Sequence, residues 1–316
     1  MKKKLNNLIV ITGPTASGKS DFAMKVAENL IANDHNAELI SADSRQVFKY
    51  MDIGTAKPTP IEQKQITHHF IDIKTPDQYY SSGIFGNEAN QLVNNLFEHG
   101  KIPIIVGGSG LYVKSLCEGF FEEEKDQKLF EMREKLNRRF QNEGIDELYE
   151  ELKQADIQSY NLYCDKNPRR VIRALEYYHW KGSKLSESNK TNKPPNRNFN
   201  PIYFGIEHER EVLYQRINSR VLAMIEQGLV KEVKNIIDMG YDENLNSLNT
   251  VGYKEIIAHL KGIYSLDTAI SEIQKNTRRF AKRQITWFKK IESMEWIKPS
   301  ELEFTIENIV KNLKTN

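Results

Sequence analysis

Leu8-Ile9-Val10-Ile11-Thr12 runs straight into Gly13-Pro14-Thr15-Ala16-Ser17-Gly18-Lys19-Ser20, an apolar strand followed by a G-x-x-x-x-G-K-[ST] loop. Behind the loop, Phe22, Val26 and Leu30 recur at helical spacing. Strand, glycine loop and helix in that order make a diphosphate cradle. Small residues let successive backbone N–H groups converge on phosphate oxygens, Lys19 adds a point charge, and the Ser20 hydroxyl can ligate magnesium. The competing reading is a chance glycine turn, which the strand before the loop and the amphipathic run after it oppose.

Outward from this loop, short apolar runs alternate with helical ones: strand 8–12, helix 18–33, strand 38–42, helix 87–99, strand 102–106. That is α/β layering with a mostly parallel sheet. From about 122 to 195 the sequence turns charged and helix-forming, opened by Glu122-Glu123-Glu124 and closed by Lys193-Pro194-Pro195. Ile202-Tyr203-Phe204-Gly205-Ile206 restores strand character, followed by amphipathic stretches at about 209–227, 229–239, 254–262 and 267–290. A sheet interrupted and resumed implies an insertion, so the expected organisation is a discontinuous core, 1–121 with 200–316, carrying an all-helical subdomain at 122–199. The Ser- and Asn-rich stretch 186–200 reads as a flexible return linker.

The chain has 316 residues, 39% of them hydrophobic, ample for a buried interior. A net charge of +2 means that attraction to nucleic acid must come from local clusters of Lys and Arg. Cys117 and Cys164 stand far apart with no ligand-spaced partner, which argues against disulfides or a structural zinc. Met1-Lys2-Lys3-Lys4 leads into too short an apolar run for a signal peptide, and no stretch is long enough to span a bilayer. A cytoplasmic protein without a membrane anchor, and a monomer for want of a spare apolar stripe, is expected.

A nucleotide hydrolase usually adds an apolar strand ending in a metal-holding aspartate. Here Ile102-Pro103-Ile104-Ile105-Val106 ends in Gly107-Gly108-Ser109-Gly110, and the other candidate strand, Phe70-Ile71-Asp72-Ile73, carries its Asp mid-run, where alternation can turn it to solvent. His68-His69 is a weak metal pair, since neighbours on a strand face opposite ways. The second strand instead delivers Ser41-Ala42-Asp43-Ser44-Arg45-Gln46 at its carboxyl end, in the ligand crevice of an open α/β sheet. Asp43 is there either a substrate-facing carboxylate or a turn former.

Asp43-Ser44-Arg45-Gln46-Val47-Phe48, running on through Met51-Asp52-Ile53-Gly54-Thr55-Ala56-Lys57-Pro58, resembles the signature of the bacterial tRNA dimethylallyltransferases, the tRNA isopentenyltransferase or IPP transferase family. The phosphate loop is similar throughout. So are Val106 to Tyr112, Asn167-Pro168-Arg169-Arg170-Val171-Ile172-Arg173-Ala174-Leu175-Glu176, Val251-Gly252-Tyr253-Lys254-Glu255 and Ala281-Lys282-Arg283-Gln284-Ile285-Thr286-Trp287-Phe288, in family order from residue 13 to 288. The resemblance implies a P-loop, nucleotide-kinase-like parallel sheet flanked by helices, with a helical insert. It also implies transfer of a dimethylallyl group from dimethylallyl diphosphate to the exocyclic N6 amine of adenosine 37, in the anticodon stem-loop of tRNAs reading codons that start with U. In that family the loop holds the prenyl diphosphate, so the hydrolase carboxylate is dispensable. Ser20 and Ser109 stand where Thr is common, and Phe48 where Tyr is. The family's eukaryotic members add a zinc finger, of which this sequence has no Cys/His cluster, and a bacterial type is therefore expected.

By the same resemblance, Gly13 to Ser20 bind the diphosphate with Mg2+ on Ser20, Asp43 is the general base, Thr15 orients the diphosphate or bridges to Asp43, and Arg216 supplies a second cation with Arg220, one turn away, as its rival. The tRNA-contacting set is Asp43, Ser44, Arg45, Gln46, Ser109, Arg169, Arg170, Val171, Ile172, Arg173, Asn249, Thr250, Val251, Gly252, Tyr253, Lys254, Lys282, Arg283, Gln284, Ile285, Thr286, Trp287, Phe288 and Lys289. The basic residues among them agree chemically with phosphate contact, although such faces are more often merely solvated, and Trp287 and Phe288 read as core rather than as stacking platforms. A P-loop small-molecule kinase and a non-catalytic RNA-binding protein are the alternatives.

Overall fold

β1 (Asn6–Thr12) is apolar on both faces, and each face meets a different layer. Leu8 and Val10 join one buried cluster with Ile40, Ile105 and Phe85, while Ile9 and Ile11 join another with Phe22, Val26 and Leu30. Each of these four strand residues is at most 2% exposed, and burying such a side chain contributes roughly 1.5–3 kcal/mol. This is why the run reads as continuously apolar: a central parallel strand is covered on both sides.

The structure, a computed structural model, describes residues 5–119, 127–191 and 197–314. β2 (Asn36–Ser41), β3 (His68–His69), β4 (Lys101–Gly107), β5 (Phe199–Ile206) and β6 (Met294–Ile297) join β1 in one sheet of order β3-β2-β4-β1-β5-β6, every pairing parallel. Between the first four strands run α1 (Lys19–Ile31), α2 (Pro60–Gln65) and α3 (Ser82–Glu98), with α4 (Gly110–Glu118) after β4. Parallel strands put the loops that leave β1, β2 and β4 at one edge of the sheet, where α/β folds bind ligands.

The chain divides into two units, Met1–Gly119 with Asn196–Asn316, and Phe120–Pro195. The second contains α5 (Gln127–Glu143), α6 (Ile145–Ala155), α7 (Ile157–Leu162), α8 (Pro168–Lys181) and α9 (Leu185–Thr191) around a core that includes Leu136, Leu148, Leu152, Val171 and Leu175. Two buried carboxylates organise it. Glu176 accepts from Arg133 Nε and Nη2, both at 2.8 Å, and from Arg173 Nη1 at 2.6 Å. Asp156 caps α7 through the Ser159 N–H and hydroxyl and fixes the start of α9 through those of Ser186. Burial pushes the Asp156 pKa up, but the hydrogen bonds from Ser186 and Ser159 outweigh it and hold the carboxyl below its ordinary value. The first unit resumes with α10 (Arg210–Glu226), α11 (Leu229–Asp238), α12 (Tyr253–Leu260), α13 (Leu266–Phe288) and α14 (Leu302–Lys314). No helix among the described residues is long and apolar enough to cross a membrane.

Two sequence expectations are corrected. Phe70 to Ile73 is not a strand: β3 ends at His69, and Phe70 and Asp72 turn with φ of 62° and 55°. Asp72 pairs with Lys57 Nζ at 2.5 Å. The 186–200 linker is helical as far as Thr191, where Asp156 and the Tyr177 hydroxyl hold Ser186 and Ser188, and strand from Phe199, which pairs with Asn6 of β1. His68 and His69 take separate partners, Ile66 O and Glu38 Oε2, and the described residues contain no metal-suited cluster of three or more His, Cys, Asp or Glu. Residues 2–4, Glu122-Glu123-Glu124 and Lys193-Pro194-Pro195 lie outside the described residues.

Candidate active site

The loop between β1 and α1 turns on Gly18, which precedes the helix with φ 92°, a region an L side chain enters only under strain. Ala16 also stands at φ 62° and is held there from outside. Its carbonyl accepts from Arg216 Nε at 2.8 Å, the Ser17 carbonyl accepts from His208 Nε2 at 2.8 Å, and Lys19 Nζ rests on the Pro14 carbonyl at 3.2 Å. On the other side Gln284 bridges two loops, accepting from the Thr15 N–H and donating to the Gly108 carbonyl, both at 2.8 Å. The Ser17 hydroxyl is buried with no hydrogen-bond partner. Leaving such a group unpaired costs about 1–3 kcal/mol, and an anionic oxygen in the loop would satisfy it.

Lys19 is tuned by its surroundings. Burial lowers its pKa most, the charge of Arg220 lowers it further and Asp43 raises it, leaving it at about 8. Lys19, Arg220 and Asp43 line one cavity of about 680 Å3 together with Thr15, Ser20, Ser44, Arg45 and Gln46. Its apolar wall includes Ile217, Val221, Met224, Ile273 and Phe280. Arg216 lies outside it, on a second cavity of about 450 Å3 that shares Lys19, Ser20 and Arg220. Charge at one end and hydrocarbon along the side suit an ester that is half anion and half alkyl.

Asp43 both forms a turn and lines the cavity. Its Oδ1 accepts the Arg45 N–H at 2.8 Å, a turn-forming bond, with the Gln46 N–H longer at 3.4 Å, while the residue lines the cavity. Gln46 is fully engaged by the protein: Oε1 accepts from the Ser41 hydroxyl at 2.8 Å, and Nε2 donates to the carbonyls of Thr55 and Ala56. Lys57, its side chain 4% exposed, donates to the Phe48 carbonyl, Asp52 and Asp72. Arg45 Nη1 donates to the Asn246 carbonyl. Glu232, which no sequence signal marked, accepts the N–H groups of Asp52, Ile53 and Gly54 and the Tyr253 hydroxyl.

Of the residues expected to meet tRNA, Ser109, Thr250, Val251, Gly252, Arg283, Gln284, Trp287 and Phe288 line the cavity with Asp43 to Gln46. Asn249, Lys254, Lys282, Thr286 and Lys289 are exposed beside them in sequence. Five of the set are buried, since helix periodicity turns these side chains inward. Val171 and Ile172 belong to the α8 core, Tyr253 and Phe288 are wholly buried, and Gln284 is spent on the Thr15 and Gly108 backbone. Ile285 packs half-buried against Ala16, Leu213, Ile217 and Ala281. Trp287, 37% exposed, lies so close that a Cβ on Gly110 would come within 2.3 Å of its Nε1. In the helical unit, Arg169 and Arg170 are exposed, whereas Arg173 is engaged by Glu176.

A family model described as IPP transferase matches residues 46–291. A tRNA dimethylallyltransferase of Acetivibrio thermocellus is 42% identical over 314 residues, covering 98% of this chain and 97% of that protein. One of Thermotoga neapolitana is 42% identical over 312 residues, covering 96% and 98%. Among solved structures, a tRNA delta(2)-isopentenylpyrophosphate transferase of Staphylococcus epidermidis is 36% identical with a TM-score of 0.69, covering 98% of this chain and 99% of that one. A eukaryotic dimethylallyltransferase acting on tRNA is 27% identical with a TM-score of 0.76, covering 93% and 74%.

Proposed function

Because this chain belongs to the IPP transferase family, we propose that it transfers the dimethylallyl group of dimethylallyl diphosphate to the exocyclic N6 amine of adenosine 37 in tRNAs that read codons starting with U, releasing diphosphate. The observation that carries this reading is the shared cavity: the phosphate-loop lysine and the Asp43 carboxylate face one space with an apolar wall. A cytoplasmic monomer is part of the same reading.

Breaking the allylic C1–O bond sends an electron pair onto the diphosphate and leaves the carbon cation-like, so positive charge belongs at the phosphates and hydrocarbon around the carbon. Lys19, the loop N–H groups and the idle Ser17 hydroxyl hold the diphosphate, which Thr15 orients. Arg216 reaches the loop from outside, its Nη2 3.5 Å from where a Gly18 Cβ would stand, and Arg220 faces both cavities. Ser20, exposed at the same place, suits a magnesium ion completed by phosphate oxygens and water, a donor set that ion favours. Bound there, the metal would neutralise leaving-group charge.

The N6 lone pair is delocalised into the purine ring and attacks weakly unaided. Asp43 accepts a hydrogen bond from N6–H and takes that proton as the C1–N bond forms. Adenosine 37 must leave its stack to reach it. The exposed basic residues Lys254, Lys282, Arg283 and Lys289, with Arg169 and Arg170 of the helical unit, meet the tRNA backbone. The deciding experiment incubates the protein with unmodified tRNA and labelled dimethylallyl diphosphate, then digests the RNA. Labelled prenyladenosine from position 37 is expected, and tRNA recovered without label would overturn the reading.

A further inference from the structure

Glu232 sits in the first turn of α11, 179 residues from the backbone it holds. Its carboxylate gathers three consecutive N–H groups, those of Asp52 at 3.0 Å, Ile53 at 2.7 Å and Gly54 at 3.1 Å, and accepts the Tyr253 hydroxyl at 2.6 Å. Successive N–H groups converging in this way form a nest for an anion, and here the anion is a side chain. The same contact is enforced sterically, since a Cβ on Gly54 would stand 2.4 Å from the Tyr253 ring. The turn thus held leads on to the carbonyls of Thr55 and Ala56, which receive the Gln46 amide, and the Gln46 backbone N–H faces Asp43 Oδ1. Gly54 and Thr55 line one side of the cavity, Val251 and Gly252 another.

We propose that Glu232 is a positioning residue for the transfer: without touching either substrate, it locks the turn at 52–54 to Tyr253 and thereby fixes, through Gln46, where the Asp43 carboxylate stands relative to the flipped adenine. The inference rests on the proposed transfer to tRNA. The hydrogen bonds of Glu232 go to the 52–54 turn and Tyr253, while the phosphate loop is braced by Arg216, His208 and Gln284, so loss of Glu232 bears on the nucleophile side of the reaction and leaves the diphosphate side intact.

The test compares E232Q and the milder Y253F with the wild-type protein, using unmodified tRNA and dimethylallyl diphosphate. For E232Q the turnover at saturating tRNA falls about tenfold to a hundredfold, the scale on which small misplacements of a catalytic group act. Dimethylallyl diphosphate affinity measured without tRNA stays within about twofold, and tRNA affinity, set by phosphate contacts, within about threefold. Y253F, which removes one of the four bonds, loses turnover in the same selective way but less. Unchanged turnover in both variants overturns the proposal, and so does a loss of diphosphate affinity in parallel with turnover, which marks general disruption. If the wild-type protein itself forms no prenyladenosine, the proposed function fails instead, and the two failures are distinct.

Discussion

Two loops leave the same edge of the sheet and are built on opposite plans. The phosphate loop after β1 is braced from outside through its carbonyls and keeps a buried hydroxyl, on Ser17, with nothing to bond. The segment after β2 spends its polar groups within the protein: Gln46 on Ser41, Thr55 and Ala56, Lys57 on Phe48, Asp52 and Asp72, and the 52–54 backbone on the distant Glu232. On the proposed function, the first gains partners when the diphosphate binds. On the same reading the second is rigid beforehand, because the group that it would align is a base on a large polymer held mainly by its phosphates.

The contrast is broken or sharpened most strongly at Asp43. Asp43→Asn keeps an acceptor for the Arg45 N–H but cannot take a proton, so turnover is expected to drop by about 10²- to 10⁴-fold with tRNA binding nearly unchanged. Single-turnover prenylation beside filter binding measures both, and near-normal turnover removes the base assignment. Next in size, Gln46→Leu deprives the Ser41 hydroxyl and the Thr55 and Ala56 carbonyls of their partner. It should cost about 1–3 kcal/mol in urea unfolding of the ligand-free protein, whereas no loss would mean that the second loop is not self-supporting.

Lys19 gives the phosphate loop a pH signature. With its pKa at about 8 in the ligand-free site, the lysine is charged below that pH and neutral above. Affinity for dimethylallyl diphosphate should therefore be level on the acid side and decline above pH 8 by up to about tenfold per unit. Binding near pH 8 then takes up protons, which calorimetry in buffers of different ionisation enthalpy detects, and Lys19→Met should abolish the uptake. The smallest effect is expected at Ser17→Ala. Diphosphate affinity should fall by about threefold to tenfold, while the ligand-free protein melts no lower than wild type, because the hydroxyl had no partner to lose.

The sequence made the phosphate loop readable because its chemistry is local: glycines, a lysine and a hydroxyl at fixed spacing between a strand and a helix. β1, β2, β4 and β5 were visible as apolar runs, and α13 by its long period. β3, only two residues long, and β6, four residues at the sheet edge, carry too little pattern to register. Phe70 to Ile73 has strand composition, yet Lys57 draws Asp72 into a turn. Residue type does not show that polar atoms of Gln284 and Tyr253 are engaged by the Thr15 backbone and Glu232. Glu232 was silent for the reason that makes it informative now: its partners are distant in sequence and mostly backbone, and backbone leaves no letter to read.

The pairing of β1 with β5 has a consequence for the newborn chain. Asn6 lies beside Phe199 and Thr12 beside Gly205, so one edge of the central strand waits for a partner until the whole intervening segment has left the ribosome. At roughly 5–20 residues per second, that leaves about 5–20 s between the emergence of β4 and of β5. Through that interval Leu8 to Ile11 present a bare apolar edge, the form of surface most prone to stick to another polypeptide, so expression faster than chaperones can shield it should yield aggregates seeded by the very strand that anchors the finished enzyme.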